Sequence, residues 1–252
     1  MSGAVDEPEL LVADDGPVRV LTLNRPHRLN AFTAEGYFGL SAALDAAAVD
    51  DDIRVVLIRG TGRAYCAGVD LVALGEQTDP TAFSRGIRAV VMSLVTFPKP
   101  LVAAVHGPIV GFGATMLLHV DIVITAEDAR WRFPFSELGT SPEAGSTFML
   151  PKMVGERKAA ELLLTARWVS GTEAAAIGLA TEAVPADMLP IRTQEVLDEV
   201  AHLMLPANIG AKTLLRRGWA EEISDAIDRE TRTAGEIGRK LGGHSIARPP
   251  KS

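Results

Sequence analysis

Four short runs rich in β-branched residues punctuate the first half of the chain: VRVLTLN (18–24), RVVLIRG (54–60), LVAAVHG (101–107) and DIVITAED (121–128). Each predicts a strand. Between them apolar residues recur at helical spacing, notably in TAEGYFGLSAALDAAAVD (33–50) and FSRGIRAVVMSLVTF (83–97). Thr33, followed by Glu35 and Gly36, marks the start of the first of these helices. GATMLLHV (113–120) follows a glycine pair and is apolar on too many faces for a surface helix, so it predicts a buried one. Strand alternating with helix predicts an α/β domain with helices packed on sheets.

The rhythm then becomes helical throughout. ERKAAELLLTA (156–166), GTEAAAIGL (171–179), TQEVLDEVAHLML (193–205) and ISDAIDRETRTAGEIGRKL (223–241) all read as helices, with Pro185, Pro190 and Pro206 as punctuation. The expected plan is a mixed α/β core over 1–200 and a helical C-terminal region over 201–252, with frayed ends at 1–8 and 243–252. No sequence repeat is evident.

Composition changes the picture only at its edges. A chain of 252 residues, 47% hydrophobic and 23% charged, buries roughly 70–75% of its unfolded surface and needs no disulfide or metal to fold. The net charge of −7 counts against general nucleic-acid binding, which needs a basic footprint, but leaves room for an anionic small molecule held by a local cluster. The lone Cys66 cannot bridge internally and points to a reducing compartment. No uncharged apolar run approaches a membrane span. The acidic opening MSGAVDEPEL does not read as a signal peptide, and Pro250-Lys251-Ser252 is not the Ser-Lys-Leu peroxisomal address. The expectation is a cytoplasmic protein without membrane or nucleic-acid partners.

Candidate chemistry narrows quickly. Cys66 reads as a small buried apolar residue, and His106 and His119 as satisfied core histidines. No His pair at i, i+4 and no CxxC suggests a metal, and Ser84 and Ser93 lack a G-x-S-x-G elbow. The glycine-rich stretches GRAYCAGVDL (62–71) and HGPIVGFGATM (106–116) each follow a strand. Each can expose backbone N–H groups, and two donors aimed at one point make an oxyanion hole. Neither fits a nucleotide-phosphate fingerprint. Glu137 and Glu143, in PFSELGTSPEAGSTFML (134–150), each read as solvated charge when taken alone.

Several blocks together carry a resemblance. NRPHRLNAF (24–32), GTGRAYCAGVDL (60–71), LVAAVHGPIVGFG (101–113) and the run from DIVITAEDARW to PKMVG (121–155) resemble the enoyl-CoA hydratase/isomerase, or crotonase, superfamily, over most of residues 15–185. The resemblance implies a spiral of ββα units with a helical C-terminal region that joins subunits and covers the site. It also implies a homotrimer or hexamer and an acyl-CoA thioester as substrate. By position, the thioester oxygen would be held by the backbone N–H groups of Val69 and Phe112. Arg28 and Ala67 would contact the CoA moiety, with Gly68, Asp70 and Gly113 beside them. The two glutamates of hydratases are replaced here by Thr115 and Phe135, which counts against water addition. The SPEAG turn instead resembles the Δ3,Δ2-enoyl-CoA isomerase branch, whose single catalytic carboxylate falls on Glu143, leaving Glu137 structural. No metal or redox cofactor is implied, coenzyme A entering only as part of the substrate. The alternatives are a dienoyl-CoA isomerase drawing a second acidic residue from the 70–90 segment, a hydratase, or a paralogue that binds acyl-CoA without turning it over.

Overall fold

The chain enters the fold through a hairpin. In the computed structural model, which describes residues 8–79 and 81–242, β1 (Leu10–Asp15) turns through Gly16 and Pro17 into β2 (Val18–Leu23). Gly16 sits at φ 55, a left-handed conformation that favours glycine at the first position of a two-residue hairpin loop. A 3₁₀ turn (Pro26–Arg28) leads to α1 (Ala34–Val49), β3 (Val55–Gly60), α2 (Leu71–Glu76), α3 (Ala82–Thr96), β4 (Leu101–Val105) and β5 (Pro108–Val110). Then come α4 (Phe112–Thr115), a 3₁₀ turn (Met116–His119), β6 (Ile122–Ala126), β7 (Arg130–Arg132), α5 (Ser146–Val154), α6 (Glu156–Thr165) and β8 (Val169–Ser170). The chain closes with α7 (Gly171–Ile177), β9 (Glu182–Val184), α8 (Leu189–His202), α9 (Leu205–Leu215) and α10 (Trp219–Lys240). Expectations for residues 1–7 and 243–252 lie outside the described residues.

The four β-branched runs become neighbours in one sheet of order β1-β2-β3-β4-β6-β9, parallel from β2 onward. β4 is buried at all five residues, which is why it reads as continuous apolar sequence rather than an alternation. A second layer is shorter: β5, β7 and β8 pair in that order, and single bridges join Cys66 to Ile109 and Phe32 to Val69. β2, β3, β4 and β6 are thus each followed by a short step in the second layer and then by helix, which is the expected α/β spiral of ββα units.

Local chemistry explains several element ends. The Thr33 hydroxyl accepts the Gly36 N–H and starts α1. The apolar run at 113–120 is buried as expected, but as a single α-turn followed by a 3₁₀ turn. Pro190 and Pro206 lie in the first turns of α8 and α9 rather than between helices, where a missing N–H costs nothing. α2, α5 and α9 were not expected from the pattern.

α9 is fastened to the edge of β6 through one carboxylate. Asp121 accepts from Leu101 N–H (2.8 Å), Lys212 Nζ (2.7 Å) and Arg216 Nη2 (2.6 Å). α10 then packs along α3 and α5, with Arg88 bonded to Asp228 and Ser224. Among the described residues no helix is long and apolar enough to cross a membrane.

Candidate active site

The two glycine stretches meet in the second layer. Phe32 N–H donates to Gly68 O (2.7 Å) and Asp70 N–H to Phe32 O (2.9 Å), so alternation along the strand turns the Val69 N–H to the opposite side. Gly111 N–H is taken by Arg132 O (3.0 Å), while Gly111 O accepts from Ala114 and Thr115. That leaves the Phe112 N–H as an unfilled donor of a helical first turn. Among the described residues neither Val69 N–H nor Phe112 N–H has an acceptor.

Glycine makes this approach possible. Gly68 lies at φ 91, and a Cβ there would stand 2.7 Å from Val110 O and 3.3 Å from Phe112 N. A Cβ on Gly113 would stand 2.4 Å from Cys66 O. Backbone therefore packs on backbone at both positions, with no room for a methyl group.

Val69 and Phe112, the residues that carry these donors, both line a cavity of about 540 Å³. Its walls are mainly apolar: Leu71 and Leu74 from α2, Phe83 and Ile87 from α3, Phe135 and Leu138, and Ile227 and Ala234 from α10. Ala67, Glu137 and Glu143 also line it. An apolar concavity with a few convergent polar groups is the usual form of a small-molecule site.

The two glutamates, alike in sequence, differ sharply here. Glu137 is ion-paired with Arg132 Nη2, and that guanidinium also donates to Ala166 O. Glu143 has no hydrogen bond or ion pair on its carboxyl among the described residues. Desolvation by the surrounding protein, with a smaller push from the negative Glu230, raises its pKa to about 8. It is an unpaired acid–base group in an apolar pocket.

The other expected residues take varied places. Ala67 lines the cavity, and its N–H donates to Leu29 O (2.9 Å), which ties the exposed Arg28 turn to the cavity rim. Asp70 is buried: it caps α2 through the Val72 and Ala73 N–H groups and pairs with Arg25 Nη1 at 3.0 Å. Its carboxylate has structural work and is not part of the cavity wall. Thr115 is fully buried behind the wall. Cys66 is buried, with its thiol pushed up to about 12 chiefly by desolvation, so it is inert. His119 is buried and bonded to Ala144 O at 2.7 Å, but its Nδ1 has no partner. His106 is only part-buried, with Nε2 on Gly62 O at 2.8 Å, so it is not the core histidine expected. Glu230 escaped the sequence reading. It lines the cavity from α10 at a position on the buried stripe Ile223, Ala226, Ile227 and Glu230, and a charged residue on such a stripe was the available signal.

The state of Glu143 has a thermodynamic signature. An acid with its folded pKa raised from 4.5 to about 8 favours the folded state fully only below 4.5, and that contribution is lost as pH rises through 8. Glu143→Gln is neutral at every pH. It is therefore expected to stabilise the chain by on the order of 3–5 kcal/mol at pH 9 and by under about 1 kcal/mol at pH 5. Urea unfolding of both proteins at the two pH values measures this.

Comparisons with known proteins bear on the family and the fold. The family model described as "Enoyl-CoA hydratase/isomerase" matches residues 14–236. Rat "Enoyl-CoA delta isomerase 2" is 34% identical over 91% of the chain, which spans 60% of that protein's length. Mouse "Enoyl-CoA delta isomerase 3, peroxisomal" is 35% identical, covering 91% of this chain and 76% of that one. Among solved structures, an enoyl-CoA hydratase/isomerase from Pseudoalteromonas atlantica superposes with a TM-score of 0.88 at 31% identity, covering 97% of this chain and 100% of that one.

Proposed function

The chain belongs to the enoyl-CoA hydratase/isomerase family, on its isomerase branch, and from that premise we propose that it moves the double bond of a 3-enoyl-CoA into conjugation with the thioester. The observation that carries this reading is the single unpaired carboxyl of Glu143 in a cavity also lined by Val69 and Phe112, whose backbone N–H groups have no acceptor among the described residues.

In this reading Val69 N–H and Phe112 N–H hold the thioester oxygen. Ionised Glu143 removes a proton from C2. The C2–H electron pair forms a bond to C1, and the carbonyl pair moves onto oxygen, where the two donors stabilise the dienolate. As the carbonyl reforms, a double bond forms between C2 and C3, and the C3–C4 pair takes the proton back from Glu143 at C4. The enzyme ends as it began. No electrons leave the substrate and no water enters, so the reaction calls for neither redox group nor second carboxylate. Glu137, held by Arg132, is spared from the chemistry, and Phe135 keeps the facing wall apolar.

The acyl chain lies along Leu74, Phe83 and Ile87, while the CoA end leaves past Ala67 toward Arg28. A homotrimer or hexamer fits the exposed apolar residues Met188, Ile191, Leu203, Met204, Leu214 and Leu215 on and around α8 and α9.

The test is a pair of absorbance assays, conjugation of 3-octenoyl-CoA and hydration of 2-octenoyl-CoA. Conjugation without hydration is expected. Binding of octanoyl-CoA with no conjugation of 3-enoyl-CoA of any chain length would favour a binding protein instead. Because the base works only when ionised, kcat/KM for conjugation is expected to rise tenfold per pH unit below about 8 and to level off above it. A profile already flat from pH 6 upward would assign the base to another group.

A further inference from the structure

The turn that carries Glu143 is conformationally costly. Ala144 and Gly145 both lie at positive φ, 63° and 70°. A non-glycine residue persists there only when its surroundings hold it. Ala144 O accepts from His119 Nε2, which carries the ring proton because a carbonyl oxygen can only accept, and burial pushes that imidazole down to about 4 and keeps it neutral. The other support comes from α10. α5 begins at this turn without a side-chain cap of its own. Its first donors go instead to Glu230: Gly145 N–H to Oε2 (2.8 Å), and Thr147 N–H (2.8 Å) and Thr147 Oγ1–H (2.7 Å) to Oε1. The backbone of the same residue accepts from Ser141 Oγ at 2.7 Å. Bonds from Glu230 thus hold the segment on both sides of Glu143.

Glu230 is 5% exposed, and among the described residues no ion pair neutralises it. A buried carboxylate without a counter-ion is expensive. An uncharged clamp would cap α5 at lower cost, so the charge itself calls for a role. Burial raises the Glu230 carboxyl above its ordinary value, but three donors and no acceptor face its oxygens and favour the ionised form against that burial. Glu143 has no donors, so when the two buried carboxyls compete, Glu230 takes the charge and Glu143 keeps the proton.

We propose that Glu230 is a positioning residue for the reaction: it fixes the Glu143 turn against α10 and sets a second negative charge beside the catalytic carboxyl, making it a stronger base. The inference rests on the reading of Glu143 given above. The charged or titratable groups around Glu143 are Glu230 on α10, Tyr37 on α1 and Cys66 in the second layer, with His119 on the next carbonyl and the Arg132–Glu137 pair on the same cavity. Tyr37 and Cys66 stay neutral through the working range, since burial raises both. Glu230 lines the same cavity, and an isosteric substitution removes its charge while leaving Glu143 itself intact.

The test uses the full chain with Glu230→Gln and Thr147→Val. Glu230→Gln removes the charge and one of the two acceptors. Its acidic limb in kcat/KM is expected to move down by about half a pH unit or more, and its plateau kcat to fall roughly tenfold or more with KM little changed. Thr147→Val, at an exposed position, removes one donor and keeps the charge. The limb is expected to stay in place while kcat falls by about threefold. Wild-type limb and plateau in a folded Glu230→Gln would overturn the proposal. If that variant does not fold, unchanged kcat in Thr147→Val overturns it instead. A readout without catalysis separates this from failure of the functional reading: the stability gained by Glu143→Gln at pH 9 is expected to shrink when Glu230 is already Gln. A gain of the same size in both backgrounds means that the two carboxyls are not coupled, whatever the reaction.

Discussion

Glu143→Gln is expected to retain the fold and lose about 10³-fold or more of kcat for 3-enoyl-CoA conjugation, with KM changed little. The carboxamide keeps the shape of the side chain, so the substrate still fits and the two backbone donors still reach the thioester oxygen. What it loses is the ability to take a proton from C2 and return it at C4. Nothing nearby can substitute. Glu137 is occupied by Arg132, Glu230 by three donors, and the buried Cys66 thiol stays protonated. Because Glu143 has no partner to leave stranded, the loss of activity is expected together with the gain in stability at alkaline pH, the pattern of a group kept for function at a cost to the fold. Initial rates and urea unfolding on the same preparation measure both.

The second large effect is expected at a residue with no side chain. Gly68→Ala should lower kcat/KM by about 10²- to 10³-fold, the loss associated with one misplaced oxyanion donor. The new methyl would meet Val110 O at 2.7 Å, and φ 91 is hostile to any L side chain. Relief requires the 66–69 segment to move away from 110–112, which separates the Val69 and Phe112 N–H groups. Stability should fall as well, by about 1–3 kcal/mol. Gly39→Ala is the control: it lies exposed in α1 with nothing within 4 Å of its Cβ position. It should stabilise the helix by about 0.5–1 kcal/mol and leave the kinetics alone.

Much of the frame can be read from the chain because burial writes itself into composition. β2, β3, β4 and β6 sit in the interior of the large sheet, so their sequences are near-continuous aliphatic runs. β1 leaves no such trace: five of its six residues are exposed and two are aspartates. Only the Asp-Gly-Pro turn after it marks the hairpin. α9 is missed for the opposite reason, since it is apolar but turns most of that surface outward, with Lys212 its one buried residue. α5 is masked by an internal Pro151 and depends on Glu230 of α10 for its first turn.

The site divides in the same way. The glycine stretches are visible locally because close backbone approach demands glycine, and the structure brings both to one cavity. Glu137 and Glu143 are indistinguishable from neighbouring sequence. One meets an arginine five residues back and the other meets nothing, and that difference exists only once the chain is folded. Asp70 shows the converse. It stands inside the glycine motif, yet its carboxylate is consumed by α2 and Arg25.

The most direct measurement follows the proton itself. 3-Octenoyl-CoA carrying deuterium at C2 is converted in ordinary water under single-turnover conditions, and the product is examined at C4. A single carboxylate in an apolar cavity that both removes and returns the proton predicts deuterium at C4 in the wild-type product. Hydrogen at C4 drawn entirely from solvent in every turnover would contradict it, because a carboxyl shut off from water in that cavity returns the deuteron it took.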